Sequence, residues 1–282
     1  MSKEGSRLKW KITSKSSWFG ASFAELWSYR DLLFRMSRKD LLVNYQQTLL
    51  GPLWMVLQPL ITVITYVLVF DRMIGLPTDG IPSFLFYFTG ITLWNLFADI
   101  FTGVSTTFAQ NENIFSKVYF PRLIAPLATL LLHLTRFLIQ LSFLIIVVIY
   151  YHYTGKYVLN GNILFCILPV LIIAGIAFGA GLIFSVITVT YRDLTNLQQL
   201  LVRLLMFVCP IFYSASIIQD QNKWLFNLNP LSSLFESFRY GFLGKGQTLA
   251  EPLLYSTLFM LVICVGGISI FNKKSDRLID IV

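Results

Sequence analysis

The chain is 282 residues long, 56% hydrophobic and only 13% charged, with a mean hydropathy of +0.68. A soluble domain carries about twice that share of charge, so the composition excludes a water-soluble globular domain and makes the bilayer the solvent. Cys166, Cys209 and Cys264 all fall in apolar stretches, which argues against a disulfide framework, and the formal charge of +8 supports no nucleic-acid partner once its distribution is read.

Residues 1–22 are basic and polar. Nine Lys or Arg lie within the first fifty residues and no continuous apolar stretch starts before about residue 53, so no secretory leader is expected. From residue 23 to about residue 48, Phe23, Leu26, Trp27, Leu33 and Phe34 share one helical face, interrupted by Arg30, and Arg35, Arg38, Lys39 and Asp40 crowd the middle. This predicts an amphipathic helix lying on the cytoplasmic membrane surface, broken near Ser37. Gly51 and Pro52 then turn the chain into the first span.

Six segments, roughly 53–70, 84–108, 123–151, 163–190, 197–218 and 253–271, approach the length of about 17–25 residues that a crossing helix needs. The first carries Gln58, Thr62 and Thr65 as a narrow polar stripe that must face protein or water. In the second, Thr89, Thr92, Asn95, Thr102 and Thr106 fall within about 80° of Asp99, while Trp94, Phe97, Phe101 and Phe108 gather opposite. The aromatics can pack on lipid and neighbouring helices while the polar face packs inside the bundle, or one of the two faces can line a path for a polar, ring-shaped cargo on whose C–H faces aromatic rings stack.

Between the second and third spans stands the most distinctive run of the chain, residues 112–122, with Glu112, Asn113, Phe115, Lys117, Tyr119, Phe120 and Arg122. Apolar anchors among charges suit a small segment offered to a soluble partner. Asp99 and Arg136 flank this hairpin inside its two spans, with an axial offset of about 6 Å. A charge at bilayer centre costs about 2.5–3.5 kcal/mol on insertion scales, so the two are expected to pair, as a structural link or as part of cargo handling. Gly175 and Gly179 in the fourth span have the small-xxx-small spacing of close helix packing. Residues 219–251 interleave Lys223, Asn227, Asn229, Pro230, Glu236 and Arg239 with Leu and Phe in pieces too short to cross, which predicts short helices dipping into the outer leaflet.

An even number of spans puts both termini on one side. Sixteen Lys and Arg fall on that side and five on the other, which orients the termini and the 112–122 run to the cytoplasm. His133 and His152 are isolated, and no metal-ligand spacing or nucleophile motif occurs. Residues 244–248 lack the order of a phosphate loop, so the chain is not expected to hydrolyse nucleotide itself. The division expected is a cytoplasmic N-terminal segment over 1–50, a transmembrane domain over 51–272 and a cytoplasmic tail over 273–282.

The runs at residues 45–54 (YQQTLLGPLW), 111–122 (NENIFSKVYFPR), 191–194 (YRDL), 229–231 (NPL) and 236–239 (ESFR) resemble the ABC-2 type permeases that export O-antigen and related polysaccharides. The resemblance covers nearly the whole chain from about residue 25. It implies an all-α integral membrane protein with six spans, an N-terminal interfacial helix and two re-entrant outer helices. It also implies a homodimer in the bacterial inner membrane, docked on a homodimer of a cytoplasmic ABC ATPase that binds the ATP and Mg, with no cofactor in this chain. The cargo implied is a polysaccharide on undecaprenyl pyrophosphate, with teichoic acid or capsule as alternatives and a membrane-embedded lipid- or sugar-modifying enzyme as the reading from another class.

By the same resemblance, residues 113–122 look like the helix that couples to the ATPase. The interfacial helix flanks the lipid gate, so Arg35, Arg38 and Lys39 become candidates for the pyrophosphate. A sliding polymer asks for many weak contacts, and the lining candidates are Trp54, Gln58 and Tyr66 on the first span, Trp94, Phe97, Asp99 and Phe101 on the second, and Phe207, Phe212 and Tyr213 on the fifth. The family commonly has an acidic residue near the position of Arg136, so the Asp99–Arg136 pair stands on the local sequence alone.

Overall fold

A computed structural model describes residues 23–115, 120–157, 162–191, 193–218, 221, 223–245 and 250–278. All the regular structure among them is helical. Two helices, α1 (Phe23–Ser28) and α2 (Arg30–Tyr45), form the interfacial segment; the break falls at Tyr29, eight residues earlier than the expected one at Ser37, which instead lies buried within α2. A 3-10 turn at Gly51–Leu53 leads into α3 (Trp54–Tyr66), which continues as a π-type segment, Val67–Ile74, and ends on Gly75 in the left-handed conformation at φ +77°.

The second span is α4 (Ser83–Ser105), followed after Thr106 by α5 (Thr107–Phe115). The junction bends for a local reason: the hydroxyls of Ser105, Thr106 and Thr107 all turn back to carbonyls three or four residues earlier and compete with the helical ladder. Then come α6 (Ile124–Tyr153), α7 (Ile167–Thr190), α8 (Leu194–Val208), α9 (Lys223–Leu228), α10 (Ser232–Leu243) and α11 (Ala250–Leu278).

Five of these segments are long and apolar enough to cross a membrane: Gly51–Ile74, Ser83–Ser105, Ile124–Tyr153, Leu164–Thr190 and Ala250–Lys274. The expected fifth span at 197–218 is instead the shorter α8, about 22 Å long at 1.5 Å per residue. Pro210 explains its end, because the residue before a proline is pushed out of the α region, and Cys209 is extended at φ −81°, ψ 147°.

The central helices are α4 and α7. Most of α4 is buried, whereas the first span and α11 are largely exposed. Close packing on α7 rests on small residues. A Cβ on Gly181 would lie 2.8 Å from Val104 of α4, and one on Gly179 would lie 2.8 Å from the Cys264 backbone of α11. Thr188 also donates to the Ser105 carbonyl at 2.9 Å, tying α7 to the bend after α4.

A candidate functional site within the bundle

Three helices each bring a pair of polar side chains one turn apart to a common point: Gln58 and Thr62 on α3, Asn95 and Asp99 on α4, Arg136 and Gln140 on α6. With Met55 and Pro59 they line a small cavity of about 80 Å³. Arg136 Nη1 stands 3.5 Å from Asp99 Oδ2, with side chains 22% and 35% exposed respectively. His133 Nδ1 is 3.9 Å from the same carboxylate oxygen, too far for a hydrogen bond.

Pro59 explains one wall. Having no N–H, it leaves the Met55 carbonyl four residues earlier without its helical partner. Gln140 fills the vacancy from α6, its Nε2 donating to Met55 O at 3.3 Å. The proline thus creates an acceptor that binds α3 to α6 beside the charged pair.

The cluster also reaches the interfacial segment. Arg136 and Asp99 act electrostatically on the Tyr45 hydroxyl at the end of α2. Burial raises the Tyr45 hydroxyl above its ordinary pKa; the Arg136 guanidinium opposes that shift and Asp99 adds to it. Counting from Gly51, the lining residues Met55 to Thr62 sit roughly 6–16 Å along the first span. The charged pair therefore lies level with the start of that span, and not at its middle. This position, with partial exposure, is how two charges are accommodated in apolar surroundings.

The other expected lining residues separate into different environments. Trp94, Phe97 and Phe101 are each only 4% exposed. They stack along α4 at centroid distances of 5.4 and 5.9 Å, and Phe101 meets Phe184 of α7 edge-on at 5.2 Å. Among the described residues this aromatic face is buried, with Phe101 packed onto α7. The Asp99 side is the one that opens to a cavity. Tyr66 meets Phe212 edge-on at 4.9 Å, Phe207 lies 5.5 Å from Phe212, and the Tyr213 hydroxyl donates to the Val208 carbonyl at 2.9 Å. Trp54 and Phe207 are exposed on the bundle surface.

Arg35, Arg38 and Lys39 are exposed on α2, while Ser37 and half-buried Asp40 turn toward the protein. Glu112, Asn113 and Phe115 fall on α5 by their backbone; Lys117 and Tyr119 lie outside the described residues. Phe120 is buried where the chain leads into α6, and Arg122 beside it is half-buried.

A second charged pair went unrecognised in the sequence. Arg239 is 2% exposed, its Nη1 lies 3.0 Å from Glu236 Oε1, and its guanidinium sits 3.8 Å over the Phe86 ring. Arg239 Nη2 donates to the Pro210 carbonyl and to that of Ile211 at 3.3 Å. The i, i+3 spacing of Glu236 and Arg239 was the available signal.

Five helices of crossing length, with intramembrane charges gathered into paired clusters, define a multi-pass helical membrane protein. The chain belongs to the ABC-2 type transporter family, which matches residues 31–243. It is 30% identical to the O-antigen export system permease protein RfbA of Klebsiella pneumoniae over 255 residues, 89% of this chain and 95% of that protein. A protein of the same description from Myxococcus xanthus is 29% identical over 90% of this chain and 96% of its own length. The polysialic acid transport protein KpsM of Escherichia coli is 24% identical over 86% and 92%.

Proposed function

We propose that this chain is the transmembrane subunit of an ATP-driven exporter that moves a polysaccharide of O-antigen type, carried on undecaprenyl pyrophosphate, from the cytoplasmic side across the bacterial inner membrane. The observation that carries the reading is the near end-to-end similarity to permeases of O-antigen export. In this reading two copies form the conduit, both termini and α5 are cytoplasmic, and ATP and its Mg ion belong to a separate ATPase dimer. The short α8 with residues 209–218 makes the fifth of six crossings, and α9 and α10 are the re-entrant outer helices. Irregular backbone at membrane depth needs internal partners, and the bonds from Arg239 to residues 210 and 211 supply two of them.

Within that reading, Glu112 to Arg122 engages the ATPase, and Arg35, Arg38 and Lys39 hold the pyrophosphate at headgroup depth. Gln58, Asp99 and Arg136 line a polar passage beside them. The similarity to a polysialic acid transport protein favours a capsule-type polymer as the second cargo.

The test is ATP hydrolysis by the permease and its ATPase in lipid nanodiscs. Lipid-linked O-antigen stimulates the wild type, and Phe115→Ala with Tyr119→Ala abolishes the response while the permease remains membrane-inserted. Arg35→Gln with Arg38→Gln lowers stimulation by lipid-linked substrate; loss of assembly with the ATPase instead would assign these arginines to the subunit interface. Stimulation by a capsule-type polymer alone would select the second cargo, and unimpaired export by the Phe115 and Tyr119 double variant would overturn the coupling assignment.

A further inference from the structure

At the end of the bundle opposite α5, a cavity of about 350 Å³ lies between the turn Ala215–Ile217, α9, α10 and Pro252 at the start of α11. That volume is near the lower end of the roughly 300–1,000 Å³ of small-molecule sites. Its lining is mixed: Phe226 supplies an aromatic surface, Ser216, Asn227 and Asn229 supply hydroxyl and amide groups, and Lys223 and Glu236 supply one charge of each sign. Glu236 is the unusual member. Its side chain is only 6% exposed, and Oε1 accepts from Arg239 at 3.0 Å. Oε2 accepts no hydrogen bond among the described residues. Glu236 thus both holds Arg239 and lines the cavity, where its second oxygen remains available as an acceptor.

The walls are braced. Asp79 accepts from the Ser214 hydroxyl and, at 2.7 Å, from the Ser216 hydroxyl, while Lys245 Nζ donates to the Asp79 and Gly80 carbonyls at 3.2 and 3.1 Å. Tyr255 donates to the Leu228 carbonyl at 3.1 Å and Ser256 to the Pro230 carbonyl at 2.6 Å, fixing the end of α9 and the connection to α10 onto α11. Such a cavity is formed before a ligand arrives, which lowers the ordering cost of binding.

We propose that this cavity is a saccharide-binding site that holds a neutral sugar unit of the polymer at the end of the bundle from which it leaves; the inference rests on the polysaccharide-export reading. Sugar hydroxyls suit a carboxylate and amides that both donate and accept, and a pyranose C–H face suits the Phe226 ring. Glu236 is already paired with Arg239, and an anionic headgroup entering the cavity would meet its carboxylate. The site is a resting place for one or two sugar rings, weak enough to release them.

The experiment uses the full-length permease with its ATPase in nanodiscs and reads saturation transfer by NMR to the disaccharide chitobiose, with glycerophosphoethanolamine as competitor. The wild type transfers to the sugar at millimolar concentration. Asn227→Ala weakens binding roughly three- to tenfold through loss of one or two hydrogen bonds, and Asn227→Trp, which fills the cavity, abolishes it; an unchanged thermal midpoint verifies folding in each. No transfer in the wild type, transfer unaffected by Asn227→Trp, or displacement by glycerophosphoethanolamine at lower concentration than the sugar each overturns the site. Stimulation of ATP hydrolysis by lipid-linked polysaccharide, measured on the same sample, separates the two readings. A stimulated wild type without sugar transfer refutes the cavity alone, and sugar transfer without stimulation refutes the export reading and leaves the cavity standing.

Discussion

Arg239 is the residue whose loss the fold should tolerate least. It is buried to 2% exposure, pairs with Glu236 at 3.0 Å, covers the Phe86 ring at 3.8 Å and donates to the carbonyls of Pro210 and Ile211. Arg239→Met preserves much of the volume but removes every one of these polar contacts. It strands a buried carboxylate and leaves two backbone carbonyls beside an apolar side chain. Removing one partner of a buried ion pair costs about 3–5 kcal/mol. The carbonyl and ring contacts belong to the same network, so their losses do not simply add to that figure. At about 2–4 °C per kcal/mol, the thermal midpoint falls by roughly 6–20 °C. The assay is intrinsic fluorescence on heating in detergent, with Glu236→Gln and the double variant completing a cycle. Glu236→Gln retains an acceptor for Arg239 and costs less, and the double variant recovers part of the Arg239→Met loss because no charge is stranded. An Arg239→Met midpoint within about 2 °C of wild type, less than 1 kcal/mol on the same scale, would refute the assignment of Arg239 as the clamp on the end of α8.

Gly179→Ala places a Cβ 2.6 Å from Ile263 Cγ2 and 2.8 Å from the Cys264 backbone nitrogen, so α7 and α11 must separate; a loss of about 1–3 kcal/mol is expected. Gly266→Ala meets nothing within 4 Å and, by helix propensity, stabilises by up to about 1 kcal/mol; thermal midpoints compare the two. Asp99→Asn and Arg136→Gln, made singly and together, should show a positive coupling of about 1 kcal/mol, modest because the pair is partly exposed and 3.5 Å apart; strict additivity in the same melts would exclude the interaction. Burial raises the Asp40 carboxyl above its ordinary pKa, with Lys39 opposing. Its stabilising contribution is therefore full below the unfolded pKa of about 4 and lost as pH rises through the higher folded value. Asp40→Asn should melt above wild type at neutral pH and lose that advantage toward acid pH; an advantage that grows on acidification would contradict the burial.

The parts of this molecule that follow one helix at a time were readable from the sequence, and the parts that depend on how helices meet were not. Hydropathy located five of the six expected spans to within a few residues and overran α8 at Pro210, and the 3.6-residue period put Asn95 and Asp99 on one face of α4 and the aromatics on the other. Periodicity carries no information about which face meets which neighbour. Aromatic rings suit lipid, pore and core alike, and the burial of Trp94, Phe97 and Phe101 follows from how α4 meets its neighbours, which the sequence pattern does not carry. Tyr45 and Gln140 escaped notice because each acts across a helix boundary, on Arg136 and on the Met55 carbonyl.

Two prolines carried more information than the apolar runs around them. Pro210 ends α8 by excluding Cys209 from the α region, and the backbone it releases finds Arg239, some thirty residues later in the chain. Pro59 leaves α3 intact but deprives Met55 of its helical partner, and Gln140 of α6 answers. After α8 the carbonyls freed where the chain leaves the helix, and in α3 a carbonyl without its helical N–H, have each drawn a polar side chain from another helix. Those side chains are neighbours of the two intramembrane ion pairs. Gln140 lies one turn from Arg136, which pairs with Asp99, and Arg239 itself pairs with Glu236. At the end of α8 the break and the buried charge occur together because each lowers the cost of the other: the break supplies acceptors for Arg239, and Arg239 satisfies carbonyls that lipid cannot.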